Sequence, residues 1–515
     1  MRQNICRILI TLLFASWTQL QAVPVAQTEA EAAAWSNLQL ARRIFAGEQM
    51  TIAQVSKREP IMESYVQSLD PEQHPESVLD DAYFLGRVAL DVDSARLGRL
   101  QRLAFGASEN SRRIRVNTGD RWPLYPEGYV DMLFVDLGDF DKDHYQLSYQ
   151  GADTLAGKKC LRVRVHPLDP KTSGRFVGEI WVDSASFRIV RIAGTFSPKR
   201  LGFFSKYFNA SGISRLGLYF HFESWRQEVS PGVWLPSYTY FDEQRMWNTG
   251  RLTTSFHLRG HVWVWNYQTA ESRTSSSPTG PFGELEVSGL LASPGKVEES
   301  LNQMVEEIRS ASGIAGPGIT CRVLLTTPVE VFSIDHTVLL SRGLLNIVPD
   351  KSTLAGLVAR EIAHIVLGHS RQWSTAQSSV FDMHRTSDFP GLGLAHAADE
   401  EASASNLMRM LLKDTHYADS VAQVVGFLAG LAIHSSQTPH LTSPSFGPGL
   451  PEQAVVQAMA SHAIADSARA SKRLTLELRG EYGINSWENQ IVALGTQPLV
   501  EEPAAVVPGR APGNL

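Results

Sequence analysis

The chain has 515 residues, room for roughly two to four domains. A content of 43% hydrophobic and 19% charged residues is that of a globular protein, and 47 bases against 53 acids, a net charge of −6, exclude a strongly basic nucleic-acid binder. Three cysteines exclude a disulfide scaffold.

The N-terminus reads as an export signal. Arg2 and Arg7 precede the apolar run Ile8–Trp17, and Leu20-Gln21-Ala22 supplies a small residue at the cleavage position. Such a run is too short for a stable anchor, so residues 1–22 are expected to be removed, with no membrane-spanning segment left. The expected location is the periplasm or cell envelope, or the medium where no outer membrane exists. Cys6 leaves with the signal. Cys160 and Cys321 fall in different predicted domains and are expected to be buried free thiols.

Residues 27–82 read as a helical segment. Ala30–Ala46 is rich in Ala, Glu, Leu and Arg, and Glu59-Pro60 starts a second short helix with Ile61, Tyr65, Val66 and Leu69 on one face. Residues 83–268 change character. Leu161, Val163 and Val165 alternate with Arg162, Arg164 and His166, and Leu218, Phe220 and Phe222 alternate in the same way. Phe176–Asp183, Phe187–Ala193, Val233–Phe241 and Thr253–Trp265 are further strand-like runs. Repeated period-2 runs separated by Gly and Pro predict an antiparallel sheet with one wet face. Residues 269–295, rich in Ser, Pro and Gly, read as a linker, and residues 497–515, rich in Pro and Ala, as a disordered tail.

Residues 296–496 read mainly helical. Val297, Leu301, Val305 and Ile308 mark an amphipathic helix, while Cys321–Leu325 and Thr337–Leu340 read as strands and Asp335-His336 as a turn. Leu354–His369 (LAGLVAREIAHIVLGH) is apolar almost all round, hence a buried helix, yet it carries Arg360, Glu361 and His364. Buried charges need partners. Glu361 and His364 fit the HExxH zinc motif, in which two His at i and i+4 hold the metal and the Glu polarises its water. The first His is here Arg360.

Two resemblances follow from these segments. Gly157–Gly194 (GKKCLRVRVHPLDPKTSGRFVGEIWVDSASFRIVRIAG) resembles the strand–turn–strand core of the LolA-like lipoprotein carriers. That implies a curved antiparallel half-barrel with an apolar cavity and a hydrophobic ligand. His336–His369 (HTVLLSRGLLNIVPDKSTLAGLVAREIAHIVLGH) resembles the zinc endopeptidases of the HtpX and CAAX-prenyl-protease type. The implied fold class is α+β: an N-terminal helical segment, a β half-barrel and a zincin-like domain.

Carried over by position, residue 360, His364 and Glu401 are the metal ligands and Glu361 is the general base. Ser405 stands where the ExxAD motif of that family has Asp. A guanidinium offers no lone pair and brings positive charge to the metal position, so Arg360 is expected to pair with Glu361 or Glu401. His369 is expected to face another way. His384, His396, His434 and His440 lie in segments that can fold over the cleft, with no spacing that singles one out.

Three readings remain open. The one best supported is an exported, peptidase-family protein that is catalytically impaired, with zinc as its cofactor if it holds one, and that acts by binding a protein or peptide. The second is an active zinc metalloendopeptidase of the cell envelope. The third is lipid or lipoprotein binding through the β domain. None involves nucleic acid.

Overall fold

The structure, a computed structural model, describes residues 37–70, 78–88, 90, 126–155, 157–169, 172, 174–197, 217–248, 253–268, 280–314, 318–369, 396–435, 437–442, 482–485 and 490–493. The segments expected to be a signal peptide (1–22) and a disordered tail (497–515) lie outside them.

The first helix, α1 (Asn37–Val55), is followed by a strand, β1 (Glu59–Leu69), where the sequence suggested a second helix. Ile61, Tyr65 and Leu69 are four residues apart, a spacing that fits one face of a helix and one face of a strand equally well. The ladders decide: β1 pairs with β2 (Val78–Arg87) on one side and with β9 (Thr253–Gln268) on the other. The β domain therefore begins at residue 59 and not at 83.

Between β2 and β9 run a 3-10 segment (Pro126–Leu133) and six strands. These are β3 (Tyr145–Leu155), β4 (Lys158–Pro167), β5 (Phe176–Asp183), β6 (Ile189–Phe196), β7 (Gly217–Ser230) and β8 (Val233–Asn248). The nine strands form one antiparallel sheet in the order β2-β1-β9-β8-β7-β6-β5-β4-β3. Leu161, Val163 and Val165 of β4 are buried while Arg162, Arg164 and His166 are exposed, as the alternation requires.

The sheet curves around α1. Leu40, Ile44 and Phe45 of the helix share a core with Val66, Val163, Ile180, Ile192, Phe222 and Phe241, drawn from strands across the whole sheet. Burying the helix's Glu48 there requires a partner, and Arg226 of β7 supplies a fork, Nη1 and Nη2 donating to its two oxygens at 2.6 and 2.7 Å.

The second module starts earlier than the sequence suggested. Within the expected linker, Gly280–Ser288 is helical (α2), and Leu285, Leu290 and Ala292 enter the core of the second module. Residues 269–279 of the expected linker lie outside the described residues. Then come α3 (Lys296–Ser312), β10 (Thr320–Leu324), β11 (Val331–Ile334), β12 (Thr337–Ser341) and α4 (Arg342–Ile347). After them lie α5 (Lys351–Leu367), α6 (Ala398–Leu412), α7 (Ser420–His434), α8 (Pro439–Thr442), β13 (Tyr482–Asn485) and β14 (Gln490–Ala493).

The three-stranded sheet has the order β10-β12-β11, so β11 is an edge strand. Asp335 takes φ 51° in the predicted Asp335-His336 turn. The thiols of Cys160 and Cys321 are free and buried. No helix among the described residues is long and apolar enough to cross a membrane.

The outer face of β1, β2 and β9 docks on this second module. Tyr65, Tyr83, Trp263 and Trp265 join Leu301, Val323, Leu344 and Leu357 in one core. Two buried carboxylates punctuate the contact. Glu63 of β1 accepts from Arg342 Nη2, from Thr327 N at 2.5 Å, from Thr327 Oγ1 at 2.9 Å and from Tyr83 Oη at 2.7 Å. Asp81 of β2 accepts from Tyr65 Oη at 3.0 Å, His440 N at 3.1 Å and Leu441 N at 3.0 Å, and lies 2.8 Å from His440 Nδ1.

Candidate functional site

The site is built on α5. Its N-cap Asp350 accepts from Thr353 N at 2.7 Å, and it ends at Gly368 with φ 71°. Every residue from Thr353 to His364 is buried. Apolar residues drive that burial, and it carries Arg360, Glu361 and His364 inside with them.

Arg360 and His364, one turn apart, face Glu401 on α6. Arg360 Nη2 donates to Glu401 Oε2, and His364 Nε2 lies 3.4 Å from the same oxygen. Of the two carboxylates expected as partners for Arg360, Glu401 is the one in direct contact. Ser405 is half-buried one turn further along α6.

Two more histidines complete the cluster. His369 Nδ1 lies 3.2 Å from His364 Nδ1. The sequence suggested that His369 points elsewhere, which would hold had the helix continued. The left-handed Gly368 instead reverses the chain and returns His369 to His364. His396, just before α6, stacks on His364 with ring centroids 3.7 Å apart and planes 11° from parallel. Nothing in the spacing marked His396. His440 lies on Asp81 instead. His384 is outside the described residues, as is the side chain of His434.

The environment sets the two carboxyls apart. Burial pushes Glu361 up to about 8, Arg360 opposes that rise, and the negative Glu401 adds to it. Its Oε2 has no hydrogen-bond partner among the described residues. Ser333 of β11 is the neighbouring hydroxyl. For Glu401, burial also works upward, but the nearby His364 and the charge of Arg360 outweigh it and hold the carboxyl near 2.

These residues do not fit a catalytic zinc ion. Such a site needs three lone-pair donors converging on one point and a fourth position for water. Here a protonated guanidinium occupies the first donor position. The Glu401 oxygen accepts from Arg360, and His364 Nε2 lies 3.4 Å from that oxygen without hydrogen-bonding to it among the described residues. Parallel stacking keeps the lone pairs of His364 and His396 side by side, so both cannot reach one ion. Among the described residues no three His, Cys, Asp or Glu side chains group so as to hold a metal.

Residues 296–437 match peptidase family M48. This part of the chain is an M48 peptidase-family domain. It holds Arg360, Glu361, His364 and Glu401. No curated protein matches the sequence significantly.

Three solved structures show weak likeness. A putative outer membrane lipoprotein-sorting protein domain from Vibrio parahaemolyticus is 10% identical, covering 46% of this chain and 95% of that one, with a TM-score of 0.22. A DUF1329 family protein from Desulfovibrio piger is 13% identical over the same shares, at 0.20. The MucA/MucB complex of Pseudomonas aeruginosa gives 10% identity, 42% of this chain and 93% of that one, at 0.13. Scores this low say nothing about what this chain does.

Proposed function

We propose that this is an exported protein whose M48 domain binds a protein or peptide without cleaving it and without catalytic zinc. One observation carries the reading: Arg360, in place of the first ligand, is paired with Glu401, the residue that would complete the metal site. Export rests on the layout of residues 1–22.

Lipid or lipoprotein binding by the β domain has a steric condition. The inner face of the sheet packs on Leu40, Ile44 and Phe45, so a ligand there has to displace α1.

Metal content tests the proposal. The purified mature protein, exposed to zinc and dialysed, is expected to retain well under one zinc per chain and to leave denatured casein intact. The double variant Arg360→His, Ser405→Asp restores the family pattern and is expected to retain more. Near-stoichiometric zinc in the wild type, lost in His364→Ala, would overturn the proposal in favour of an active metalloendopeptidase.

A further inference from the structure

Beside the shared apolar core, the polar contacts between the two modules converge on one loop, residues 325–330, which joins β10 to β11. Glu63 holds its near side, accepting from both the backbone N–H and the hydroxyl of Thr327. Asp81 holds its far side through one intermediary: it accepts from the N–H groups of His440 and Leu441, and Leu441 O in turn accepts from Val329 N at 2.7 Å. His261 of β9 adds a third contact, its Nε2 lying 3.0 Å from Thr327 Oγ1. Three adjacent strands of the large sheet thus grip the same few residues.

The loop has little freedom of its own. Gly343, at the start of α4, donates to Thr326 O at 3.0 Å, and a Cβ at 343 would sit 1.7 Å from Thr327 O. Glu330 N donates to Ser341 Oγ at 2.9 Å. Directly after Glu330 comes β11. This edge strand packs against α5, and its Ser333 neighbours Glu361.

We infer that Glu63 and Asp81 are positioning residues: through the 325–330 loop the large sheet sets the placement of edge strand β11 against α5, which carries Arg360, Glu361 and His364, so the two modules are coupled. The β domain is then more than a separate binding face carried alongside. A ligand that shifts β1 or β2 shifts β11, and a change at the Arg360–Glu401 site is felt on the sheet. The coupling needs no particular occupant, and it stands whether or not the cleft also cleaves.

The Arg342–Glu63 pair makes the grip firm. Arg342 is buried, lies over the Trp263 ring at 4.2 Å and finds its counter-charge on the other module. Removing one member of a buried, hydrogen-bonded pair costs far more than removing a surface pair. The clasp therefore opens rarely and as a whole.

Native-state hydrogen exchange of the full mature chain tests this without any ligand. Glu63→Gln keeps the shape and one acceptor but loses the charge. It is expected to speed exchange of the 331–334 amides by about tenfold or more relative to those of Phe176–Asp183 in the same molecule. Asp81→Asn is expected to act in the same direction. Glu48→Gln, which weakens a buried pair remote from the loop, is the control and should leave 331–334 unchanged relative to the rest of their module. The inference fails if Glu63→Gln leaves the 331–334 amides as protected as in the wild type, or if Glu48→Gln loosens them equally. Should Glu63→Gln fold too poorly to measure, Thr327→Val removes the hydroxyl contact alone and gives the same comparison. A positive outcome here with zinc retained would sink the proposed function and leave this coupling standing.

Discussion

The residue that most constrains function is Arg360, and its consequence falls on Glu361. A catalytic carboxyl in a metal site is held ionised by the cation beside it. Here the guanidinium is committed to Glu401, and Glu361 is left buried with one oxygen unpartnered among the described residues. Its folded pKa of about 8 lies above its ordinary value of 4.5, so between these limits the folded state holds a proton that the unfolded chain has released. The contribution of Glu361 to stability is full below about pH 4.5 and fades as pH rises through about 8. Glu361→Gln carries no such proton. The difference in unfolding free energy between wild type and Glu361→Gln, measured by urea denaturation from pH 5 to 9, is expected to move steadily against the wild type as pH rises. A flat difference would mean that Glu361 is ionised in the folded state and still available as a base.

At the scale of elements, Gly368 decides whether the histidines meet. It ends α5 in a left-handed conformation, and its N–H caps the carbonyls of His364 and Ile365. Among the described residues no atom within 4 Å obstructs a side chain there, so Gly368→Ala is expected to meet chiefly backbone strain, at a cost of about 1 kcal/mol. Chemical denaturation should read that loss, and an unchanged midpoint would mean that the turn relaxes out of the left-handed region. The sequence made α5 legible, since an apolar stretch interrupted by Arg, Glu and His at this spacing fits little besides a buried helix that carries a polar site. It made β4, β5 and β7 legible through alternation. It hid β1, whose apolar residues recur every fourth position and satisfy both periods. It hid β11 (VFSI), which is buried on both faces and so shows no alternation. In the site, Arg360 and His364 were readable from one motif and its spacing, and Glu401 from what the family resemblance implies. The approach of His369 and His396 was not, because it depends on a chain reversal and on the path into α6, which no local pattern encodes.

At the scale of the molecule, one apolar core crosses the boundary between the modules. Trp263 and Trp265 of the large sheet pack with the helices and strands of the M48 domain, and Arg342 from that domain lies against both rings. His261, between them and Thr327, is pushed by burial down to about 3, with Arg342 adding to the effect, so it stays neutral and adds no charge to the contact. A boundary built this way has no wet seam along which the modules separate cheaply. Thermal unfolding of the wild type should therefore show a single calorimetric transition spanning both modules. Trp263→Ala removes a large ring from the middle of that contact, and the lost transfer energy and the cavity together cost about 3–5 kcal/mol. It also strips Arg342 of the nearer ring. Because the damage lies between the modules, the variant is expected to unfold at a lower temperature and in two steps. A variant that melts lower but still in one step would show that the carboxylate clasps at Glu63 and Asp81 hold the modules together without the aromatic contact. Two transitions already in the wild type would mean that the shared core contributes too little to couple them.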